Sequence, residues 1–341
     1  QGSGHGFVSS SIRYNVPKEQ WKDLHDIWPG GSRILVDLEP LKGDERSGAA
    51  FLVEREGDPR ISSVEFENFC IDGLHFVDDG NGDPENTYLN GKTGIYVASA
   101  QDSFRITGMG IIYLEHGVTL YNSDALSVHD NFIAECGNCV ELRGAGQASK
   151  ITDNLMGAGY TIFAENFGGL LITSNNIFPR GKSIVHLKGV LRSSVTANRF
   201  HSFYPGMLIM ENCRENLISS NHFLRDHEPW PPMLEYDNGL EDDFGLIHIQ
   251  GSSNSLIANH ISETIEQQYL KPAGVKPIII RLVSGRENYI ANNHIVATTK
   301  TDKKESEENQ SCFDAQVGAL LSMDELVKLP IEAVHVDEAS L

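Results

Sequence analysis

The sequence lacks two features that would each point to a particular class of partner. It contains no run of about 18 apolar residues, the length a membrane-spanning helix needs, so we expect no transmembrane segment. It also has few cations, since 27 Lys and Arg stand against 47 Asp and Glu and give a formal net charge of −20. Nucleic acids and anionic membrane surfaces are bound through clustered cations. The sequence therefore argues against both partners and is compatible with a neutral one, such as a sugar.

Cysteine is scarce too, with five residues in a chain of 341. An odd and widely spaced set does not make a disulfide framework. Cys136 and Cys139 form a C-x-x-C pair, but no second pair accompanies it. We therefore interpret the cysteines as small buried core residues, with zinc binding or redox chemistry as the alternative.

The beginning of the sequence shows neither an initiator methionine nor a signal peptide. It opens at Gln1 with a glycine-rich stretch that looks like the middle of a structural element. We expect that residues upstream, including the first turns and the cap of the fold, are missing from this sequence. No cellular location follows from it.

What the sequence does have is an internal repeat of 22 to 23 residues, marked by an asparagine. An apolar residue follows each asparagine by two positions, and another precedes it by three. The marking residues are Asn131, Asn154, Asn176, Asn198 and Asn221, then Asn259 and Asn293 after two insertions. In the middle repeat, Asn175 fits the flanking apolar pattern slightly better than Asn176. Repeats of this period are typical of solenoids.

Short alternating runs of apolar and polar residues lie between the asparagines, for example at 139–142, 184–187 and 246–249. Alternation with β-branched residues predicts half-buried strands. No helical periodicity recurs within the repeats, and the leucine-rich pattern is missing. The sequence therefore predicts an all-β parallel β-helix, with an asparagine ladder that bonds the backbone at one turn of each rung.

The two ends differ from the repeats and suggest caps. Residues 17–28 have the pattern of a short helix that stops at a Pro-Gly-Gly sequence. Residues 300–310 form a polar, charged stretch, and 313–321 have helical periodicity. We therefore predict two segments: a β-helix over 1–299, truncated at its beginning, and a tail or cap over 300–341 with a polar loop and a short helix.

Several long strings carry a more specific signal. They are residues 129–142, 146–155, 165–171, 178–181, 202–207, 221–223, 237–240 and 271–277, together with the opening 2–7. These strings resemble the inulin fructotransferase family, and the resemblance extends to about residue 298. It implies a right-handed parallel β-helix that assembles as a homotrimer with active sites between subunits. It also implies that no metal and no organic cofactor is needed.

The resemblance implies one of two reactions. The first hypothesis is an inulin fructotransferase, which transfers a fructosyl unit within the end of inulin and releases difructose dianhydride, III rather than I. The alternative is a hydrolase that opens difructose dianhydride III to a disaccharide. More remote alternatives are another β-helix lyase or hydrolase of polysaccharides and a non-enzymatic glycan-binding β-helix. Secretion is expected for the transferase, whereas a cytoplasmic location is compatible with the hydrolase.

Cleavage of a fructosidic bond calls for one carboxylic acid and one carboxylate. The resemblance implies an Asp followed eleven residues later by a Glu. Asp130 and Glu141 match within the best-resembling segment, and Asp124 and Glu135 have the same spacing and are the alternative pair. By alternation, Glu141 should point outward from its strand, in register with His186.

The insertion before Asn259 is a second candidate region, because it mixes carboxylates with aromatic residues that suit a sugar. Its alternative role is an exposed acidic loop or a trimer contact. The candidate substrate-binding residues, here and elsewhere, are His5, Arg180, His186, Asp226, His227, Glu228, Trp230, Asp237 and Asn238.

Overall fold

A computed structural model describes most of the chain. The described residues are 1–4, 31–57, 60–73, 89–179, 181–226, 238–265, 272, 274–300 and 326–338. Both predicted short helices, at 17–28 and 313–321, lie outside these ranges. Within them the chain consists of strands and of two short 3-10 helices, Glu45–Gly48 and Asp242–Phe244. None of the described helices is long and apolar enough to cross a membrane.

The strands are numbered here in chain order. They are β1 (Arg33–Leu35), β2 (Ala49–Val53), β3 (Ile61–Ser62), β4 (Glu65–Glu67), β5 (Cys70–Asp72), β6 (Thr93–Val97), β7 (Gln101–Asp102), β8 (Arg105–Thr107), β9 (Gly110–Ile112), β10 (His116–Tyr121), β11 (Ser123–Asp124), β12 (Ser127–His129), β13 (Phe132–Arg143), β14 (Gly146–Gln147), β15 (Lys150–Thr152), β16 (Leu155–Glu165), β17 (Phe167–Gly168), β18 (Leu171–Thr173), β19 (Asn176–Ile177), β20 (Ile184–Lys188), β21 (Ser194–Thr196), β22 (Arg199–Ser202), β23 (Leu208–Arg214), β24 (Leu217–Ser219), β25 (His222–Arg225), β26 (Ile247–Ser252), β27 (Ser255–Ile257), β28 (His260–Glu263), β29 (Ile278–Ser284), β30 (Tyr289–Ala291), β31 (His294–Lys300), β32 (Leu326–Lys328) and β33 (Glu332–Val336).

These strands form three sheets that wind along one axis. The largest has 19 strands, the second has nine (β4, β8, β12, β15, β18, β21, β24, β27 and β30), and the third has five (β3, β7, β11, β14 and β17). Strands one rung apart pair in parallel, for example β12 with β15 and β15 with β18. The predicted all-β parallel β-helix is confirmed.

One rung shows how the sequence produces the winding. Strand β13 bends at Glu135, where φ is 55°, so its two halves lie on different faces of the largest sheet. The short strand β14 and then β15 complete the rung, and the chain turns a corner into β16. The residue before each ladder asparagine adopts a left-handed φ of 55–59° at this corner. Those residues are Asp130, Asp153, Ser174, Ala197, Ser220, Ala258 and Asn292.

The core consists of inward rows that run along the axis. One row is formed by Val118, Val140, Ile162, Val185, Leu208, Ile247 and Ile280, all of them buried. The rings of Phe200 and Phe223 stack in another row with centroids 4.4 Å apart. Burial of such side chains contributes about 1.5–3 kcal/mol each, so the rows supply most of the favourable free energy of folding.

The asparagine ladder lies at the corner after the second sheet. Each Nδ2 donates to the Oδ1 of the asparagine one rung on, at 2.9–3.0 Å. The ladder runs through Asn131, Asn154, Asn175, Asn198, Asn221, Asn259 and Asn293. Asn175, not Asn176, is the member in the middle rung. Each side chain also bonds backbone groups, as when Asn131 Nδ2 donates to the carbonyl of Ile106 at 2.9 Å.

A second ladder was not predicted. Asn216 donates to Asn254 at 2.9 Å, and Asn254 donates to Asn288 at 3.1 Å, at the opposite end of the second-sheet strands. Its spacings equal those from Asn221 to Asn293, which was the signal in the sequence. On earlier rungs Ser193 and Ser149 take this position, so the asparagine pattern is broken there.

The described part of the predicted tail contains strands. Strand β32 pairs antiparallel with β31, and β33 pairs parallel with β29, so the largest sheet continues beyond residue 299. The division at 299 stays a prediction. Four cysteines, at 70, 136, 139 and 213, are free and buried, as expected for core thiols, and Cys312 lies outside the described residues.

Candidate active site

The outward face of the largest sheet carries a row of polar and aromatic side chains. In register along it stand Thr119, Glu141, Phe163 and His186, on strands β10, β13, β16 and β20. Glu141 points away from the core, since its neighbours Val140 and Leu142 belong to the inward rows. The predicted register of Glu141 with His186 is confirmed, with Phe163 between them.

This row borders an open groove of about 410 Å³. The groove crosses three rungs, so its walls come from segments about 22 to 23 residues apart in the chain. It is lined by Asn138, Glu141, Arg143, Tyr160, Phe163, Glu165 and His186.

Glu141 lies at the floor of the groove and is only 3% exposed. Its Oε2 accepts hydrogen bonds from His116 Nδ1 at 2.6 Å and Thr119 Oγ1 at 2.8 Å. Its Oε1 accepts from Arg143 Nη2 at 2.7 Å and Asn138 Nδ2 at 3.2 Å. Because a carboxylate offers about four lone-pair sites, these donors satisfy it, and the contact with Asn138 is the longest.

The same contacts decide the charge of the site. Burial alone would raise the pKa of Glu141, but the hydrogen bond and charge of His116, with the charge of Arg143, outweigh it and lower that pKa. Burial would lower the pKa of His116, yet its hydrogen bond to Glu141 and the nearby carboxylates raise it. The pair is therefore a carboxylate beside an imidazolium at moderately acid pH.

A second layer of contacts orients Arg143. Its Nη1 bonds Glu45 Oε2 and the Tyr121 hydroxyl, both at 3.0 Å. Although burial would lower the pKa of Arg143, the charge of Glu141 raises it, so the guanidinium stays charged. Glu45 belongs to the 3-10 helix Glu45–Gly48, which thereby holds the Arg143 guanidinium beside Glu141.

Aromatic side chains form the opposite wall of the groove. Tyr160 is 38% exposed and stacks on His186 with ring centroids 6.3 Å apart. Phe163 meets His186 edge to face at 5.5 Å, and His186 Nε2 lies 3.4 Å from Glu211 Oε1. A wall of this kind offers a face for sugar C–H groups beside a floor that binds hydroxyls.

An adjacent groove of about 460 Å³ lies on the other side of His116. It is bounded by the segment 40–45, by 89–91 and by Glu115, whose Oε2 accepts from the Gly91 amide at 2.7 Å. His116 lines this groove and bonds Glu141 at the floor of the first. One hydrogen bond therefore connects the linings of the two grooves.

Asp130 lies apart from Glu141. It is exposed at the corner after β12, whereas Glu141 lies beyond the bend at Glu135 on another face. The contacts of the described residues include none between the two side chains. The same corner holds Asp153 and Ala197 on other rungs, so the turn does not require an acidic residue there.

The alternative pair is not brought together either. Asp124 forms an ion pair with Arg60 and accepts the Gln147 amide at 3.1 Å in the third sheet. Glu135 is buried at the bend of β13, in the left-handed region. The contacts of Asp124 are those of a structural carboxylate.

The candidates of the insertion are only partly described. Asp226 Oδ1 accepts from His201 Nε2 at 2.7 Å, and both side chains are buried away from the groove, His201 on β22 and Asp226 just after β25. Asn238 bonds the Pro205 carbonyl at 2.8 Å and the Leu240 amide at 3.0 Å, so it stabilises a turn. The remaining candidates lie outside the described residues: His5, Arg180, His227, Glu228, Trp230 and Asp237.

Sequence reasoning missed the residues that complete the groove. They are His116, Thr119, Asn138, Arg143, Tyr160, Phe163 and Glu165. The available signal was the repeat itself, because residues one rung apart, such as Thr119 and Glu141, are neighbours on the same face. Among the described residues, no group of three His, Cys, Asp or Glu is arranged to hold a metal ion.

Two family profiles match the chain. Residues 220–340 match the family described as beta helix repeat of inulin fructotransferase. Residues 61–229 match the family described as periplasmic copper-binding protein (NosD). The two matches together span most of the described solenoid.

Individual proteins are similar over most of the chain. A DFA-I-forming inulin fructotransferase from Arthrobacter globiformis is 40% identical over 305 residues, covering 87% of this chain and 72% of that protein. The crystal structure of DFA-IIIase from Arthrobacter chlorophenolicus in complex with DFA-III is 61% identical, with a TM-score of 0.89, and covers 99% of this chain and 76% of that one. The same DFA-IIIase in complex with GF2 is 60% identical, with a TM-score of 0.88, and covers 99% of this chain and 77% of that one.

Proposed function

Because the chain belongs to the inulin fructotransferase family, a family of enzymes, we propose that it hydrolyses difructose dianhydride III to a disaccharide. The observation that carries this proposal is the difference in identity: about 60% to DFA-IIIase and 40% to the DFA-I-forming transferase. The preference therefore reverses the order of the two reactions given by the sequence. A fructan or a dianhydride is the substrate in either case.

The groove around Glu141 supports this chemistry. Hydrolysis needs a carboxylate that activates water or attacks the anomeric carbon, and an acid that protonates the leaving oxygen. With its pKa lowered by His116 and Arg143, Glu141 suits the carboxylate role rather than the acid role. A water or a sugar hydroxyl would replace Asn138, the most distant donor, at 3.2 Å.

The acid in this proposal is Asp130, which in one chain lies at the corner after β12, whereas Glu141 lies within β13 on another face. A pair split in this way is compatible with a site formed between subunits, where Asp130 of one copy faces Glu141 of the next. We therefore propose a homotrimer with intersubunit sites. The exposure of Asp130 supports this arrangement.

The test of the reaction is product identity. The protein is incubated separately with difructose dianhydride III and with inulin, and the products are separated by chromatography. We expect the disaccharide from the dianhydride and no dianhydride from inulin. Release of a dianhydride from inulin, without hydrolysis of difructose dianhydride III, would instead support the fructotransferase, which the similarity to the Arthrobacter globiformis enzyme favours.

A further inference from the structure

A second row of side chains remains outside the proposed reaction. On another outward face of the largest sheet, Arg199, His222, His260 and His294 stand in register on β22, β25, β28 and β31. The ring centroids of successive histidines are 5.0 and 4.9 Å apart. These strands contribute no residue to the groove around Glu141.

We propose that His260 and His294 form a binding site for a divalent transition-metal ion such as Cu²⁺. Their Nδ1 atoms lie 3.1 Å apart, and both side chains are exposed. Imidazole nitrogen is a preferred ligand of copper, nickel and zinc. The inference does not depend on the proposed hydrolysis, nor on the copper in the name of the matched NosD family, because that match ends at residue 229.

The separation of the two nitrogens is that of two ligands on one ion. Metal–nitrogen bonds of about 2.0–2.1 Å put adjacent ligand nitrogens about 2.9 Å apart at a right angle and about 3.4 Å apart at a tetrahedral angle. The observed 3.1 Å lies between these values. The register of β28 with β31 places the two side chains next to each other, and a hydrogen bond between their Nδ1 atoms holds the rings together without the metal. This arrangement reduces the entropy lost on binding.

The second nitrogen of His260 supports the required tautomer. Its Nε2 lies 3.1 Å from the Ser262 hydroxyl oxygen on the same strand. When Nδ1 binds the metal, Nε2 carries the hydrogen and donates it to that oxygen. Histidine ligands ordinarily have a partner of this kind, which fixes the ring and makes the ligating nitrogen more basic.

The charge around the site and the number of its ligands determine how tightly it would bind a metal ion. The net charge of −20 attracts cations to the molecule as a whole. The local positive charge is Arg199, which neighbours His222 and lies two strands from His260. No third ligand converges among the described residues, so water would complete the coordination, and we expect micromolar or weaker affinity.

To test the proposal, the whole protein is titrated with Cu²⁺, and binding is measured by calorimetry. Electron paramagnetic resonance of the bound copper then counts the imidazole ligands from the nitrogen splitting. We expect one site with two imidazole nitrogens. His260→Ala and His294→Ala should each abolish the two-nitrogen signal, and Ser262→Ala should weaken binding by about tenfold.

The matched control is His129→Ala, which removes a histidine from the outward face of the second sheet, where Nδ1 lies 3.4 Å from Thr107 Oγ1. It should leave the two-nitrogen signal unchanged. Circular dichroism checks that each variant keeps its strands. A wild-type protein without a two-nitrogen site, or a signal that survives both histidine substitutions, overturns the proposal.

Discussion

At the scale of single residues, the site depends on how Glu141 is kept ionised at the floor of the groove, where its side chain is almost completely shielded from water. Two positively charged neighbours, His116 and Arg143, offset the cost of burying the carboxylate. Without them a carboxyl at this depth would have a raised pKa and would carry a proton. The donors therefore define the chemical role of Glu141.

We predict that Glu141→Gln lowers kcat on difructose dianhydride III by about 10³-fold, because the amide cannot act as a base or nucleophile. The measurement is initial rate at saturating substrate. Glu215→Gln serves as the control, since Glu215 pairs with Arg192 on the surface, far along the chain from the groove. Equal rates for both variants would remove Glu141 from the mechanism.

His116 is predicted to act through Glu141 as a positioning residue. Its hydrogen bond and charge lower the pKa of Glu141, so His116→Asn should raise that pKa and move the acid limb of the pH–rate profile to higher pH. We also expect kcat/KM to fall about tenfold, or about 1.4 kcal/mol. The measurement is the pH profile of kcat/KM.

Thr119→Val provides the comparison for His116, because it removes a neutral donor of Glu141 that bonds at 2.8 Å. Its acid limb should move less than that of His116→Asn, since no charge is lost. If the two variants shift the limb equally, the charge of His116 is not what keeps Glu141 ionised.

The sequence predicted the direction of Glu141 but not its partners. Alternation along one strand is enough to show that Glu141 points outward and that Val140 points inward. The donors His116 and Thr119, however, come from the preceding rung, and their contact depends on the exact register between β10 and β13. A one-residue shift in that register would have replaced both donors.

At the scale of elements, a buried ion cluster binds the described end of the insertion before β26 to the solenoid. Arg225 is 2% exposed and pairs with Asp242 at 2.5 Å, while its Nη1 lies 3.6 Å from Glu263 Oε2. Asp242 begins a 3-10 helix at the end of the insertion, and Glu263 ends β28. One cation therefore ties three segments together.

The cluster predicts a pH dependence of stability. Burial raises the pKa of Glu263 to about 7, although Arg225 opposes it. A carboxyl whose pKa is higher in the folded than in the unfolded state stabilises the fold at low pH, and this contribution is lost as pH rises through 7. Glu263→Gln, which cannot ionise, should therefore gain stability relative to the wild type between pH 5 and 8.

The free energy of urea unfolding is measured for Glu263→Gln and for the wild type at pH 5 and at pH 8. The difference between the two proteins should change with pH by at most about 1.4 kcal/mol per pH unit. Glu211→Gln is the control, because Glu211 is partly exposed beside His186. A difference between Glu263→Gln and wild type that does not change with pH contradicts the assignment of the raised pKa.

Elements were predictable where the repeat is regular. The ladder from Asn131 to Asn293 follows from spacing alone, because one buried asparagine per rung satisfies the same backbone groups each time. The second ladder was missed because Ser149 and Ser193 take its position on earlier rungs, and a serine is a weaker turn signal than an asparagine. Strand β33 was missed because a polar segment separates it from the repeats.

At the scale of the whole molecule, the acidic composition by itself argues against polyanionic partners. It does not distinguish hydrolase from transferase, because both act on neutral fructose units and differ in whether water reaches the anomeric carbon. Nor could the spacing of eleven residues between Asp130 and Glu141 show that they lie on different faces, since the bend at Glu135 separates them.

That separation leads to a prediction about assembly. If Asp130 and Glu141 act together across a subunit boundary, Asp130→Asn and Glu141→Gln should each be inactive alone but should complement each other when co-refolded. In randomly mixed 1:1 trimers, about one quarter of the sites contain an intact Asp130 and an intact Glu141 from different chains. We therefore expect about a quarter of wild-type activity, with sedimentation confirming the trimer.

A double Asp130→Asn, Glu141→Gln variant mixed with inactive Glu141→Gln is the control and should stay inactive. Inactivity of both mixtures, despite trimer formation, would mean that the two carboxylates do not form a site across the boundary.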